Sequence, residues 1–345
     1  MGKDLQTIAV GVIGAGGMGG RHARNLQARV SGAQVVAIMD ADAARAQHVA
    51  DACGSAQIYS DAHQLIQAEQ VQAVLIASPD RTHAGFVLEC LRQNKPVLCE
   101  KPLAANAADA EKIMQAEIQG GRKLVQVGFM RHYDPQHVGV KQAIERGAIG
   151  RPVLFKGWHR NIIGSPDESS ADIVTGAAIH DLDSVRWLLG QEIEEVYVRG
   201  INTVPAFTPE VWDMQIIQLT MRGHCLATIE VYVNAQYGYE VGVEIVGTEG
   251  TAQTGLTAPT LVRNKRTITQ PIEEDWLERF DPAYLAELQS WINSLQQSGQ
   301  PNGPDAWDGY TSLVAAEACI ESIRSGQPQA VKQVERPSFY PHLSS

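Results

Sequence analysis

The sequence predicts an α/β protein in which a domain with a parallel sheet precedes a domain with a large, mostly antiparallel sheet. Three observations lead to this prediction. Short apolar runs alternate with helix-like segments in residues 1–128. Several alternating runs follow one another without intervening helices after residue 129. A chain of 345 residues is also too long for one typical core.

The first strand is the β-branched run from Ile8 to Ile13, which is typical of a strand buried on both faces. A helix-like segment, Gly20 to Leu26, follows it after a glycine-rich turn. A second strand, Val35 to Met39, comes next and ends at an acid, Asp40. The turn itself reads Gly14-Ala15-Gly16-Gly17-Met18-Gly19, in which the glycines have GxGxxG spacing.

This order predicts a dinucleotide site in a Rossmann domain, although an isolated GxGxxG could equally be a flexible loop. Gly14 permits the tight turn, Gly16 lets backbone N–H groups approach a pyrophosphate, and Gly19 lets helix and strand pack closely. The helix N-terminus adds partial positive charge. Asp40 is expected to meet the ribose hydroxyls, which favours NAD over NADP because no basic residue follows until Arg45. Gly17 and Met18 are further candidate cofactor contacts.

A third strand, Val71 to Ala77, ends in Ser78-Pro79-Asp80 and is followed by a helix from Thr82 to Gln93. Ser78 and Pro79 therefore mark a second place where a cofactor can rest. His83 is a candidate contact there, but a solvent-facing or capping role is the favoured alternative.

A fourth strand, Pro96 to Cys99, ends in Glu100-Lys101-Pro102. Lys101 lies at the carboxyl end of a central strand, where a nicotinamide is expected, and Glu100 precedes it. The peptide bond before a proline can be cis, and this would redirect the lysine. The alternative is a salt-bridged lysine at a strand end. A helix to Gly120 and a strand from Leu124 to Gly128 complete the first domain.

The second domain, residues 129–345, opens with Met130-Arg131-His132-Tyr133-Asp134-Pro135. Later, Ala178, Leu182, Val185 and Leu189 have helical spacing and predict a core-facing stripe that stops at Gly190. His180 and Asp183 are three residues apart and share another face. A neutral imidazole there could accept a proton from a hydroxyl group, whereas a surface histidine is the plain alternative.

Composition narrows the classes of partner. The formal net charge of −11 argues against a nucleic-acid or anionic-membrane surface. We expect no signal peptide, no membrane span and no metal site. The five cysteines form no CxxC pair, which favours reduced thiols and a cytoplasmic location.

Several motifs taken together resemble the glucose–fructose oxidoreductase/inositol dehydrogenase family, and its inositol 2-dehydrogenase branch in particular, from about Ile8 to Ala330. These motifs are GVIGAGGMGGRH, CEKP, GFMRHYDP, HRN, IHDLDSVRWLL, EVYVNAQYGYEVGVEIVG and GPDAWDGY. The resemblance implies a Rossmann domain followed by an α/β domain with an open antiparallel sheet. It also implies a homotetramer that assembles through sheet faces.

The resemblance implies NAD-dependent oxidation of myo-inositol or a close cyclic polyol. Lys101 would contact the substrate hydroxyl and nicotinamide, and His180 would be the general base. The positions that resemble polyol-binding residues are Arg131, Asn161, Asp183 and Tyr237.

The chain departs from the family at Gly176, where related enzymes have an aspartate four residues before the histidine. An orienting carboxylate fixes the imidazole tautomer and stabilises the imidazolium. Asp183 or Asp172 could take over this role, which we favour because Lys101 and His180 remain. Otherwise the enzyme is slower or reshaped for another polyol or an aldopyranose, or the chain is a non-catalytic cofactor-binding sensor.

Overall fold

The structure is a computed structural model that describes residues 6–165, 167–204, 210–255 and 261–340. The outer limits of the predicted domains, residues 1 and 345, lie outside this range. The strands in chain order are β1 (Ile8–Ile13), β2 (Ala33–Met39), β3 (Gln57–Tyr59), β4 (Ala73–Ile76), β5 (Val97–Glu100), β6 (Val125–Gly128), β7 (Pro152–Arg160), β8 (Ile193–Ile201), β9 (Met214–Met221), β10 (Leu226–Tyr232), β11 (Glu240–Gly247), β12 (Thr251–Gln253), β13 (Val262–Asn264), β14 (Thr267–Thr269) and β15 (Gln329–Ala330).

The helices in chain order are α1 (Gly17–Ala28), α2 (Ala43–Ala52), α3 (Ala62–Gln67), α4 (Asp80–Arg92), α5 (Ala107–Gly120), α6 (Pro135–Glu145), α7 (Ser170–Ile173), α8 (Ile179–Leu189), α9 (Trp276–Ser298) and α10 (Ala306–Ser325). A 3-10 turn covers Met130–Tyr133, and a π-helical turn covers Val174–Ala178 between α7 and α8. The predicted strand and helix positions agree with these bounds within a few residues. The short strands β3 and β12–β15 and the four-residue helix α7 have little periodic signal and are not predicted from the sequence.

The chain forms two compact units. The first contains residues 6–130, 284–313 and 336–340. Its sheet has the order β3-β2-β1-β4-β5-β6, and every neighbouring pair is parallel. The order reverses between β1 and β4, and in such sheets ligands bind at the carboxyl ends of the strands near this point. Residues of α9, including Leu288 and Trp291, pack into the same core as Val12 and Leu26.

The second unit contains residues 131–283 and 314–335. Its seven-stranded sheet has the order β12-β11-β7-β10-β9-β8-β15. The pairing of β7 with β10 is parallel and the other pairings in this sheet are antiparallel. The predicted fold class is therefore confirmed, with one parallel pair inside the mostly antiparallel sheet. Along β7 the inward side chains alternate with outward ones, and His159 lies on the buried face with Phe155.

Candidate functional site

The glycine turn in the first unit has the geometry that a dinucleotide site requires. Gly14 has φ +91°, and a Cβ there would lie 2.4 Å from the carbonyl oxygen of Ala77. A Cβ on Gly19 would lie 1.8 Å from the carbonyl oxygen of Gly14, so larger residues cannot occupy either position. A Cβ on Gly16 or Gly17 would instead meet nothing within 4 Å. These two glycines thus leave open space at the N-terminus of α1, where a diphosphate fits.

Asp40 lies directly beside this turn. One carboxylate oxygen accepts the backbone N–H of Ala15 at 2.6 Å, and the other accepts that of Asp42 at 2.8 Å. The Arg45 guanidinium lies 3.7 Å from the Asp40 carboxylate and is half exposed. Two backbone donors therefore fix the orientation of the acid that follows β2, as the ribose-binding role requires.

A cavity of about 480 Å³ lies at the carboxyl ends of β1, β2 and β4. It is lined by residues that include five of the predicted cofactor contacts, namely Gly14, Gly16, Asp40, Ser78 and Pro79. Gly17 and Met18 lie in the first turn of α1. The open glycine positions, the oriented acid and the cavity fit NAD.

His83 is almost fully buried, so a solvent-facing role, one of the two favoured alternatives, is wrong. Its Nδ1 lies 2.7 Å from the carbonyl oxygen of Pro102, and its Nε2 lies 2.8 Å from that of Ser78. The imidazole therefore connects the segment after β4 to the segment after β5. His83 faces the interior of the unit from the first turn of α4, whereas Asp80 and Arg81 of the same turn are exposed. Residue spacing alone did not reveal this.

The segment Glu100-Lys101-Pro102 follows β5, and the Lys101–Pro102 peptide bond is cis. The buried Glu100 carboxylate accepts the backbone N–H of Lys101 at 3.2 Å, and it lies 2.7 Å from Nε2 of the buried His22. Burial alone would raise the pKa of Glu100, but the hydrogen bond and charge of His22 hold that pKa below its ordinary value. An ionised carboxylate thus holds the backbone at Lys101.

A second carboxyl group, Glu287 on α9, belongs to the same unit and is fully buried. Within the described residues, neither of its oxygens has a hydrogen-bond partner. Burial, and then repulsion by Glu100, raises the pKa of Glu287 well above its ordinary value. Glu287 therefore favours the neutral form beside the ionised Glu100.

The second unit contains the helix that was predicted to carry the chemistry. Ala178, Leu182 and Val185 are fully buried, as the apolar spacing predicts. His180 and Asp183 are also buried, at 7% and 1% exposure. The alternative of a surface histidine on an amphipathic helix is therefore wrong. The helix ends where Gly190 adopts φ +64°, a left-handed cap that favours glycine.

Arg131 is fully buried and forms an ion pair with Asp181 on α8. The two guanidinium–carboxylate distances are 2.6 and 3.3 Å. His159 places Nδ1 3.0 Å from the same carboxylate. Burial would raise the pKa of Asp181, but the charge of Arg131 and the hydrogen bond of His159 lower it to about 2. The Arg131 guanidinium thus holds Asp181, which is the residue next to His180 in the chain.

Asp183 has its own partner from the same 3-10 turn. Nε2 of His132 lies 2.8 Å from Oδ2 of Asp183. The His132 ring stacks on Trp187 with a centroid distance of 4.2 Å and an interplanar angle of 18°. Two successive residues of the turn therefore bind the two acids that flank Leu182 on α8.

Asn161 follows β7, and its backbone is held by hydrogen bonds to Tyr232 and Ala235. Its side-chain oxygen is buried and has no hydrogen-bond partner among the described residues. Because a buried acceptor without a donor is costly, this oxygen is suited to a ligand hydroxyl.

Tyr237 occupies a different environment from the other predicted polyol contacts. It is half exposed, and its hydroxyl group binds Glu240 and Arg160. Tyr239 is buried instead, with its hydroxyl oxygen 3.4 Å from Nε2 of His159. The structure therefore brings Tyr239, and not Tyr237, to the cluster around Arg131.

Two carboxylates were candidates for the role of the aspartate that is absent at Gly176. Asp172 accepts hydrogen bonds from the backbone N–H and the hydroxyl of Ser169, at 2.9 and 2.7 Å, and so caps α7. Asp183 is bound by His132. A Cβ at Gly176 would meet nothing within 4 Å, so the helix has room for a side chain there.

The sequence reasoning missed five residues of these clusters, namely His22, His132, His159, Tyr239 and Glu287. One signal was available for His159, because strict alternation along β7 places it on the buried face. His132 adjoins a predicted residue. No local sequence pattern indicates the roles of His22 and Glu287, because the residue that both interact with, Glu100, is distant from them in the chain.

The fold and the nucleotide cavity define a Rossmann-type oxidoreductase that binds NAD. Family models agree: an oxidoreductase NAD-binding Rossmann fold matches residues 8–129, and the C-terminal alpha/beta domain of the same oxidoreductase family matches residues 141–332. The chain belongs to the glucose–fructose oxidoreductase/inositol dehydrogenase family. The resemblance found in the sequence is thereby confirmed.

Relatives match over nearly the full length. The chain is 55% identical to an inositol 2-dehydrogenase of Rubrobacter xylanophilus, covering 98% of this chain and 97% of the relative. A crystal structure of myo-inositol dehydrogenase from Lactobacillus casei, in complex with NAD(H) and myo-inositol, superposes with a TM-score of 0.94 at 32% identity, covering 97% of this chain and 100% of that one. Scyllo-inositol dehydrogenase from the same organism, with bound NAD(H) and scyllo-inositol, gives 0.86 at 26% identity, covering 94% and 99%.

Within the described residues, no group of three or more histidine, cysteine or acidic side chains is placed to hold a metal ion. No helix in the same part of the chain is long and apolar enough to cross a membrane. All five cysteines are buried and free.

Proposed function

We propose that this protein oxidises myo-inositol, or a close cyclic polyol, to the corresponding ketone, with NAD as the hydride acceptor. The observation that carries the proposal is the full-length match to inositol 2-dehydrogenases, of which the Rubrobacter xylanophilus protein is 55% identical. The nucleotide cavity supports the binding of NAD, and the buried acids of α8 support the binding of the polyol.

In the proposed mechanism, His180 accepts the proton of the substrate hydroxyl group. Lys101 stabilises the alkoxide that develops and fixes its orientation. The C–H bond of the same carbon breaks, and its electron pair leaves with the hydrogen as hydride. The electron pair that the oxygen gains when its proton is removed forms the second bond of the C=O group. Bound NAD supplies the group that receives this hydride. Glu100 contributes by binding the backbone N–H of Lys101, as the 3.2 Å hydrogen bond indicates.

We assign polyol binding to Asn161 and Asp183 first. The buried side-chain oxygen of Asn161 accepts a substrate hydroxyl, and the Asp183 carboxylate accepts another. Arg131 acts in this proposal by holding Asp181, whose carboxylate in turn accepts the Nδ1–H of His159. Tyr237 remains a proposed contact on the strength of the motif alone. Asp183 also takes over the orienting role that an aspartate at position 176 has in related enzymes.

The cofactor contacts proposed from the sequence are Gly14, Gly16, Gly17, Met18, Gly19, Asp40, Ser78, Pro79, His83, Glu100 and Lys101. Their support is the cavity at the carboxyl ends of the strands, together with the hydrogen bonds that fix Asp40 and His83.

Turnover tests the proposal directly. The purified protein is incubated with myo-inositol and either NAD or NADP, and the reduced cofactor is followed by its near-ultraviolet absorbance. Lys101→Ala and His180→Ala are expected to lose turnover while they still bind NAD. If both variants keep the rate of the unchanged protein, the assigned roles are wrong.

Scyllo-inositol is the second candidate substrate, because the neighbouring Lactobacillus casei structure with a TM-score of 0.86 binds it. Other inositol isomers and aldopyranoses belong to the same comparison. A panel of polyols ranked by kcat/KM separates these candidates, since each site discriminates through its contacts to individual hydroxyl groups.

A non-catalytic NAD-binding sensor is the candidate from another class, and Gly176 is the feature that favours it. A sensor binds the cofactor but shows no turnover with any polyol. Gly176→Asp then distinguishes a lost catalyst from one that uses another carboxylate, because a restored acid raises the rate only in the first case.

We also propose a cytoplasmic homotetramer, with residues 1–128 as the cofactor domain and 129–345 as the domain for substrate and assembly. Exposed apolar side chains on the open sheet of the second unit, Ile201 and Leu226, support contact with a second copy. The buried free cysteines are consistent with a reducing compartment. Light scattering of the purified protein measures the number of subunits. Leu226→Lys is expected to reduce it.

A further inference from the structure

The 3-10 turn at Met130–Tyr133 presents two cationic or polar side chains to one helix. Arg131 binds Asp181, and His132 binds Asp183, so each of two consecutive residues has a separate acid on α8. The proposed function uses Asp183 as a ligand for the polyol, but it assigns nothing to His132.

The geometry at His132 is that of a fixed donor. Its side chain is 11% exposed, and that of Asp183 is 1% exposed. An ionised carboxylate can only accept hydrogen bonds, so the contact at 2.8 Å requires the proton on Nε2. The stack on Trp187, four residues after Asp183, prevents the ring from rotating away from this carboxylate.

The consequence for Asp183 is a fixed carboxylate plane. The hydrogen bond from His132 restricts rotation of this carboxylate about its Cβ–Cγ bond. The histidine therefore contributes to the direction of the carboxylate lone pairs before a polyol binds. A ligand with a hydroxyl group on every ring carbon needs acceptors at defined positions, because small displacements cost binding.

We infer that His132 is a positioning residue for polyol binding, and that it acts by holding the Asp183 carboxylate through Nε2. This inference rests on the proposed function. His132 does not itself touch the polyol or the cofactor in this assignment.

The test replaces the donor while retaining the aromatic ring. His132→Phe can still stack on Trp187 but has no N–H, whereas His132→Gln restores an amide donor near the position of Nε2. We expect His132→Phe to raise the KM for myo-inositol about 10- to 100-fold, the range found when the hydrogen-bond partner that orients a metal ligand is removed. Because Asp183 also orients His180 in the proposed function, we expect kcat to fall in the same variant. We expect the Kd for NAD to stay close to that of the unchanged protein, and His132→Gln to recover most of both losses.

A double-mutant cycle with Asp183→Asn tests whether His132 affects the KM through Asp183. If His132 acts through Asp183, His132→Phe has little further effect in the Asp183→Asn background. Trp187→Phe keeps both a ring and the hydrogen bond, and serves as the matched control with a KM near that of the unchanged protein.

Three outcomes overturn the inference alone: an unchanged KM in His132→Phe, an equal loss in both backgrounds, or a parallel loss of NAD affinity. An unchanged protein without turnover on any cyclic polyol overturns the proposed function, and this inference with it.

Discussion

Replacing Glu287 by glutamine tests the electrostatics of the buried carboxyl pair beneath the Glu100-Lys101-Pro102 segment. Glu287 is fully buried, and neither of its oxygens has a hydrogen-bond partner in the described structure. Burial and the nearby Glu100 raise its pKa well above the ordinary value of 4.5. Glutamine has nearly the same shape as the protonated side chain and cannot ionise, so the substitution removes the titration with little change in packing.

The sign of the effect follows from proton binding. Between pH 4.5 and the raised pKa, the folded protein holds a proton on Glu287 that the unfolded chain has lost. The free energy of unfolding therefore falls as pH rises in this window, by up to about 1.4 kcal/mol per pH unit. Glu287→Gln does not lose this part of its free energy of unfolding as pH rises. The difference in free energy of unfolding between the variant and the unchanged protein therefore increases with pH in favour of the variant.

Urea unfolding at several pH values measures this difference. Tryptophan fluorescence reports on the relevant unit because Trp291 and Trp307 are buried within it. Glu69→Gln, which changes an exposed glutamate of the same unit, is the matched control and should run parallel to the unchanged protein. The free energies of unfolding of the unchanged protein and of Glu287→Gln are plotted against pH. If the two curves stay parallel above pH 4.5, the reasoning is refuted.

Three further predictions concern the two units. Gly176→Asp fits the open space at that position. It should leave kcat within about twofold if another carboxylate already orients His180. A tenfold gain in steady-state rate would show that no other carboxylate has this role. Asp40→Ser should raise kcat/KM for NADP relative to NAD by about tenfold or more, because the acid that repels a 2′-phosphate is gone; an unchanged cofactor ratio would contradict it. Arg131→Ala leaves Asp181 buried without its ion-pair partner and should lower the free energy of unfolding by about 3–5 kcal/mol; a urea midpoint close to that of the unchanged protein would show that the pair contributes little.

Much of the fold could be predicted because its signals are local. The β-branched run before Gly14 and the glycine spacing itself predict the first strand, turn and helix through backbone sterics alone. The alternating runs after residue 129 predict a mostly antiparallel sheet. The parallel pairing of β7 with β10 escaped this reasoning because 65 residues separate the ends of the two strands, Arg160 and Leu226. No local pattern encodes such a pairing.

The candidate site was predicted less completely. Lys101, His180 and Asp183 were selected by motif and helical spacing. The burial of His83 and His180 was not, since spacing gives the face of a helix but not what covers it. Tyr237 and Tyr239 are two residues apart, and only their surroundings distinguish the exposed phenol from the buried one.

The sequence by itself determined the glycine turn, the acid after the second strand and the order of strands and helices, because each depends on interactions within a few residues. Only the tertiary structure decided which charged groups meet. Arg131 and Asp181 are 50 positions apart, and His22 and Glu100 are 78 apart. Burial makes an unpaired charge costly, and it is the folded backbone that selects which distant partner satisfies it.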